Sequence, residues 1–187
     1  MARSLSSIGW ILPLLASIVA CSGGDGGPPA FRGPGLDVAR LSVNQQAAVN
    51  AAAVGASFDP DPNLSLLIDP VYLPRSQGVV GGASVAPALI ARMRQQGTIR
   101  GTCQIPREAA RAVPLCPAAI SGYVVRFSEI LGLGGGSDSV QVYLMATRYR
   151  HAPKEPAELL SFERAYRLAR VRGEWRVMSE ARIPKSQ

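Results

Sequence analysis

Between Ser121 and Ile183, apolar residues recur with a period of two in four successive stretches. Tyr123, Val125 and Phe127 mark the first, and Val140, Val142, Leu144 and Ala146 the second. Phe162, Tyr166 and Leu168 mark the third, and Trp175, Val177, Ala181 and Ile183 the fourth. A period of two puts such residues on one face of a strand. The breaks are short: GLGGGSD at 132–138, HAPKEPAE at 151–158 and Arg172-Gly173. Strands joined this closely pair antiparallel, because a parallel neighbour needs a crossover of a dozen or more residues. The spacing predicts strands over 121–131, 139–150, 160–170 and 174–183. One face of that meander must find a cover.

The preceding residues supply it. Leu36 to Ser57 has a helical pattern with Ser42 as N-cap and a weak stripe of Val43, Ala47 and Val54. The Asp59-Pro-Asp61-Pro-Asn63 run ends it, and Leu64 to Asp69 reads as a short apolar strand stopped by Pro70. Ser84 is expected to cap a second helix, with Pro87 in its first turn, Leu89, Ile90 and Met93 on its apolar side, and Gly97 at its end. Thr98 to Ile105 is a further candidate strand. Residues 106–119 form a Pro- and Ala-containing excursion with a short helical turn at 107–112. The expected fold class is α+β, with two N-terminal helices packed on a four- or five-stranded antiparallel β meander and a partly polar far face. With 187 residues the chain suffices for one domain, and 47% hydrophobic against 18% charged residues excludes disorder for its bulk. No apolar run reaches the roughly 18 residues that a spanning helix needs.

The first 21 residues, MARSLSSIGWILPLLASIVAC, are set apart. Arg3 begins a positive segment, Ile8 to Ala20 is an apolar core, and a small residue closes it. This is an export-signal pattern, and such a segment is removed before folding. Ile18-Val19-Ala20-Cys21 resembles the lipobox of bacterial lipoproteins, with Ile where Leu is usual. The resemblance implies that Cys21 becomes the mature N-terminus and carries a diacylglyceryl group and a further acyl chain. Several chains make anchoring stable where one does not. Ser22, with no Asp directly after Cys21, resembles lipoproteins passed on to an outer membrane. The expected boundaries are a signal peptide at 1–20, a lipidated Cys21 and Gly/Pro-rich tether at 21–35, one domain at 36–183 and a tail at 184–187. The expected location is the bacterial cell envelope, on the outer membrane facing the periplasm. The rival reading is ordinary secretory cleavage after Ala20, which Ile18 fits poorly.

With Cys21 lipidated, Cys103 and Cys116 remain. In an oxidising compartment such a pair is usually bridged, and closing so short a loop contributes about 3 kcal/mol in the chain-entropy model. A metal site and two free thiols are the alternatives; the chain has one His and no CxxC, so a metal would lack ligands.

Helices followed by long antiparallel strands, and a final hairpin of the form YRLARVRGEWRVMSEARI, resemble the cone-shaped NTF2-like family over about residues 84–183. That resemblance implies a pocket in a curved sheet, and in some members a carboxylate base inside it. Asp69, Glu129 and Glu180, beside apolar strand residues, are the candidates.

Other motifs have plainer readings. His151 follows Arg148 and Arg150 at a strand end and reads as a solvated surface residue. The 59–63 run lacks the Gly and Glu of a calcium loop and reads as a turn. The glycines of 132–138 join strands, so they read as a hairpin loop and not a phosphate cradle. No metal or cofactor is called for. The net charge is +7, and arginines crowd the last three strands. Arg148 and Arg150 share a face by period two, as do Arg164 and Arg170. Their plain reading is a solvated outer face with Glu163, Glu174 and Glu180 interspersed. The sharper reading is a patch for an anionic envelope component, such as lipid headgroups or acidic glycan. The export signal argues against nucleic acid despite an isoelectric point near 9.9. The expectation is a membrane-anchored, non-catalytic binding or structural module; a small-ligand protein or enzyme of the cone type is the alternative.

Overall fold

The computed structural model describes residues 36–59, 61, 63–73, 83–105, 116, 122–134, 137–149 and 161–184. The export signal, Cys21, the tether, Arg150, His151, the 151–158 loop and the expected turn at 107–112 lie outside the described residues. The elements run α1 (Val43–Ser57), β1 (Ser65–Ile68), α2 (Pro87–Gln95), β2 (Gly101–Thr102), β3 (Gly122–Phe127), β4 (Leu131–Gly132), β5 (Ser139–Tyr149), β6 (Ser161–Val171) and β7 (Glu174–Arg182). The class is α+β: two helices and a seven-stranded, mostly antiparallel sheet.

Helix α1 starts where Ser42 and Gln45 cap one another. Ser42 Oγ accepts from Gln45 N–H at 3.3 Å, and Gln45 Oε1 accepts from Ser42 N–H at 2.9 Å. This reciprocal box satisfies two backbone donors that the first turn leaves open. Its buried side is Ala47, Val49, Asn50, Ala53 and Val54. Val43, expected in the stripe, is 37% exposed, because the buried face turns away from it after the first turn.

Helix α2 departs from the expected start. Ser84 does not cap it; Ser84 bridges Val71, and Ala86 is the N-cap without a side-chain bond. Pro87 explains the shift, since its ring forces the preceding residue out of the helical region, and Ala86 sits at φ −57°, ψ 131°. The helix closes in a Schellman arrangement. Thr98 N–H donates to Met93 O and Gly97 N–H to Arg94 O, both at 3.0 Å, with Gly97 at φ +73°.

The sheet order is β2-β1-β3-β5-β6-β7, with β4 also paired to β5. The meander expectation covers β3 to β7, all antiparallel, but the strand expected over 121–131 is divided into β3, which ends at Phe127, and β4 at Leu131–Gly132. It fails at β1, which runs parallel to both neighbours, β2 and β3. The physical reason is the link: α2 is long enough to return the chain to the same end of the sheet, so β1-α2-β2 is a parallel crossover. The expected 98–105 strand shrinks to two residues.

Register assigns the faces. Leu66 and Ile68 of β1 align with Tyr123 and Val125 of β3, Phe127 with Leu144, and Val140 and Val142 with Leu168 and Tyr166. These residues form one core with Ala47, Val49 and Ala53 of α1 and Leu89 and Met93 of α2. Each large side chain buried there contributes roughly 1.5–3 kcal/mol. The far face is drier than expected. Leu67 and Val124 pack with Cys103, Ile105 and Cys116, while Leu131, Tyr143, Ala165 and Ala181 pack with Leu73 and Leu36.

Candidate functional site

The sheet face that carries the core continues beyond the reach of α1 into a group of rings and guanidinium side chains. Phe58, just past the end of α1, has its ring centroid 5.1 Å from that of Tyr123 and 5.8 Å from that of Phe162. Tyr123 and Phe162 are 6.4 Å apart, edge to face. Tyr123 pairs with Arg148 across β3 and β5, and Arg164 pairs with Arg182 across β6 and β7. Arg148, Arg164 and Arg182 therefore flank the rings on one face. The Arg164 guanidinium carbon lies 4.9 Å from the Phe162 centroid, and its NH1 bonds Glu180 Oε1 at 3.0 Å.

Below Arg164 the face closes. Tyr166 is fully buried, and its hydroxyl is 2.7 Å from Ser57 Oγ. Ser57 donates its only hydroxyl proton to Ala53 O at 2.8 Å, so the Tyr166 hydroxyl is the donor in this pair. Burial, assisted by Glu180, raises the Tyr166 phenol above its ordinary value of 10.0, against the lowering effect of the Arg164 guanidinium.

Of the four arginines expected to form a patch, the structure brings Arg148 and Arg164 to this end of the sheet. Arg170 is exposed at the opposite end of β6, beside Trp175, about 20 Å along the strand. Arg150 lies outside the described residues. The face also differs from the expected one: Arg148, Arg164 and Arg170 share the parity of the core residues, not of the outer face. Arg182 completes the group and was not singled out by pattern. A bulge after Val177 reverses the parity of β7, so period-two counting fails there. Arg148 and Arg182 have no ion-pair partner among the described residues. Two such cations beside a ring cluster can hold an anionic group through charge-assisted hydrogen bonds.

The candidate carboxylates have separate fates. Asp69 is fully buried on the far face and accepts from Arg126 Nε at 3.0 Å, from a second Arg126 nitrogen, and from the Val71 and Ile105 N–H groups at 3.2 Å. It is a structural hub. Arg126 escaped the sequence reading, although a cation at a far-face position of an apolar strand was a signal for such a partner. Glu180 is paired with Arg164. Glu129 lines a cavity of about 200 Å³ under α1, together with Asn50, Tyr72, Ser128 and Leu89.

Cys103 and Cys116 are joined by a disulfide with Cα atoms 5.2 Å apart, and Cys103 is buried. Asp61 Oδ1 accepts from Asn63 N–H at 2.8 Å in a turn, and no cluster of three metal-ligating side chains occurs among the described residues. The turn borders an open groove of about 450 Å³ floored by Val54, Phe58, Leu64, Leu66 and Ile99. Of the expected 132–138 loop, Gly132 ends β4 and Gly134, just after it, has φ +72°.

No protein-family model, no curated protein and no solved structure matches this chain.

Proposed function

We propose that this chain is a membrane-anchored lipoprotein of a bacterial envelope, and that its α+β domain is a non-catalytic module that meets an anionic envelope component. The observation that carries this reading is the order Ile18-Val19-Ala20-Cys21, a Gly- and Pro-rich tether, and a packed domain opening near Leu36. A tether of 14 residues spans on the order of 20 Å as a Gly-rich coil, so it keeps the domain close to the lipid surface. A tether of that reach lets the half-buried Arg148 and the exposed Arg182 approach headgroups to within the Debye length of about 8 Å, where the attraction is not screened. The ring cluster gives that face a rigid apolar floor. Of the three carboxylates that a cone-type enzyme could use, Asp69 and Glu180 are committed to arginines, and Glu129 lines the cavity under α1.

Intact mass from a membrane fraction tests the anchor. The expected mass starts at Cys21 and includes acyl groups, and Cys21→Ser moves the protein to the soluble fraction. An unmodified full-length mass overturns the reading. Vesicle sedimentation of the Cys21→Ser protein tests the patch. Binding to anionic vesicles should fall with salt and with Arg148→Glu plus Arg182→Glu. Equal binding to neutral vesicles sinks the patch and leaves the anchor.

A further inference from the structure

The open groove beside the end of α1 is used by neither the anchor nor the arginine patch. Its floor is apolar: Val54, Leu66 and Ile99 are buried, and Phe58 and Leu64 are half-buried. The volume of about 450 Å³ lies in the range of ligand sites and has room for about fifteen heavy atoms at ~30 Å³ each. On α1 the lining is Ala51, Val54, Gly55 and Phe58, one stripe at helical spacing.

Two observations say what fits there. The first is Gly55. It has helical backbone in the last turn of α1, not the left-handed geometry of a helix-ending glycine. A glycine in that place weakens the helix relative to alanine. Packing inside the fold does not require it: beyond the helix's own backbone, no heavy atom lies within 4 Å of where a Cβ would stand. The missing Cβ leaves the main chain of α1 bare toward the groove, beside the small Ala51, and a second polypeptide can approach it closely.

The second is charge. Asp59 and Asp61 line the groove where the chain leaves α1. Asp61 Oδ1 accepts from Asn63 N–H at 2.8 Å and Asp61 O from Leu64 N–H at 3.0 Å, so a turn fixes that carboxylate in place. Helix α1 has no basic residue in its last turn, and the partial negative charge of its end adds to the two carboxylates. Arg100 lines the opposite side, beyond the end of α2, and has an interaction of its own. The acidic side is therefore that of α1, where the apolar Phe58 and Leu64 also lie. The complement of such a surface is a cation carried next to an apolar group.

We propose that this groove docks a short basic segment of a partner protein. An aliphatic side chain of that segment lies on Phe58 and Leu64, its main chain lies against Ala51 and Gly55, and a neighbouring Lys or Arg faces Asp59 and Asp61. The groove shares no arginine with the patch, so loss of vesicle binding leaves it standing.

Titration of the full-length protein in zwitterionic nanodiscs with the peptide acetyl-Leu-Lys-Leu-amide, followed by amide NMR, tests it. The backbone amides of Gly55, Leu64 and Gly97 should shift and saturate below about 10 mM. The charge-reversed acetyl-Leu-Glu-Leu-amide should bind at least about fivefold more weakly, and Asp59→Asn with Asp61→Asn should remove most of that difference. Gly55→Ala should raise the thermal midpoint by about 1–3 °C, because alanine is the better helix former. The same variant should weaken the Lys peptide by at least about fivefold, because the new methyl group stands where the peptide main chain lies. A more stable variant that binds less well excludes unfolding as the cause. Equal binding of the two peptides, no saturation by about 10 mM, or undiminished binding to the Gly55→Ala protein overturns the proposal. So do shifts of these amides that follow protein concentration without peptide, which would give the groove to a second copy of the chain.

Discussion

Arg126 and Asp69 show how a single polar pair can be placed inside an apolar layer. Asp69 is fully buried, and the Arg126 side chain is 16% exposed. Removing one member strands the other. Arg126→Met should therefore lower unfolding free energy by about 3 kcal/mol or more, and the double variant Arg126→Met with Asp69→Leu should recover part of that loss. Urea denaturation of the three proteins measures this; a double variant worse than both singles would contradict the pairing. Tyr166 gives a pH-dependent case. Its phenol is raised in the folded protein mainly by burial. Above the ordinary value the unfolded chain releases this proton while the folded chain keeps it. The stabilisation is thus complete below the ordinary value and is lost as pH rises through the folded one. Stability should decline as pH rises past the ordinary phenol value of about 10, and Tyr166→Phe should flatten that decline. The same variant loses the Ser57 hydrogen bond, at about 1 kcal/mol near neutral pH. An unchanged alkaline slope would locate the titration elsewhere, with the similarly raised Tyr72 as the next residue to change.

At the scale of elements, turns and caps were more legible than faces, except at α2, where Ser84 yields the cap to Ala86. Ser42 announced the start of α1, Gly97 the end of α2, and Arg172-Gly173 the last hairpin, because each depends on two or three neighbouring residues. That hairpin still carries strain. Arg172 has φ 52° and Gly173 φ 87°, so both central residues are left-handed, which Asn-Gly suits far better than Arg-Gly. Arg172→Asn should raise stability by roughly 0.5–1 kcal/mol, visible as a higher urea midpoint with an unchanged slope. Faces were harder to read. One extra residue in β7 puts Glu180 and Arg182 on the core side and Arg176 on the other. The ring cluster and Arg148 share a parity that sequence counting gave to the core and to solvent respectively. Both inferences used the right period, and only the extent of helix cover separates them.

At the scale of the molecule, β3 to β7 could be anticipated because each strand pairs with one close by in sequence, β4 and β6 on either side of β5. The position of β1 could not, since nothing in LSLLID states that Gly122–Phe127 will be its partner. Asn50 was illegible for the same reason: its burial depends on what crosses over it. The disulfide acts at this scale too, tying the segment after β2 against Leu67 and Val124. With a sequence separation of 13 it should contribute about 3 kcal/mol, and reductant should lower the unfolding midpoint of the native chain but not of a Cys103→Ser, Cys116→Ser variant. The parallel placement of β1 also has a consequence for how the chain comes into being. A ribosome, or an export channel on the proposed route, delivers residue 43 before residue 127. Leu66, Leu67 and Ile68 thus emerge long before the strand that will shelter them, while β5, β6 and β7 meet their partners almost as they appear. During that wait the most apolar strand of the protein is an unguarded edge, and the polypeptide is then at its greatest need of a chaperone.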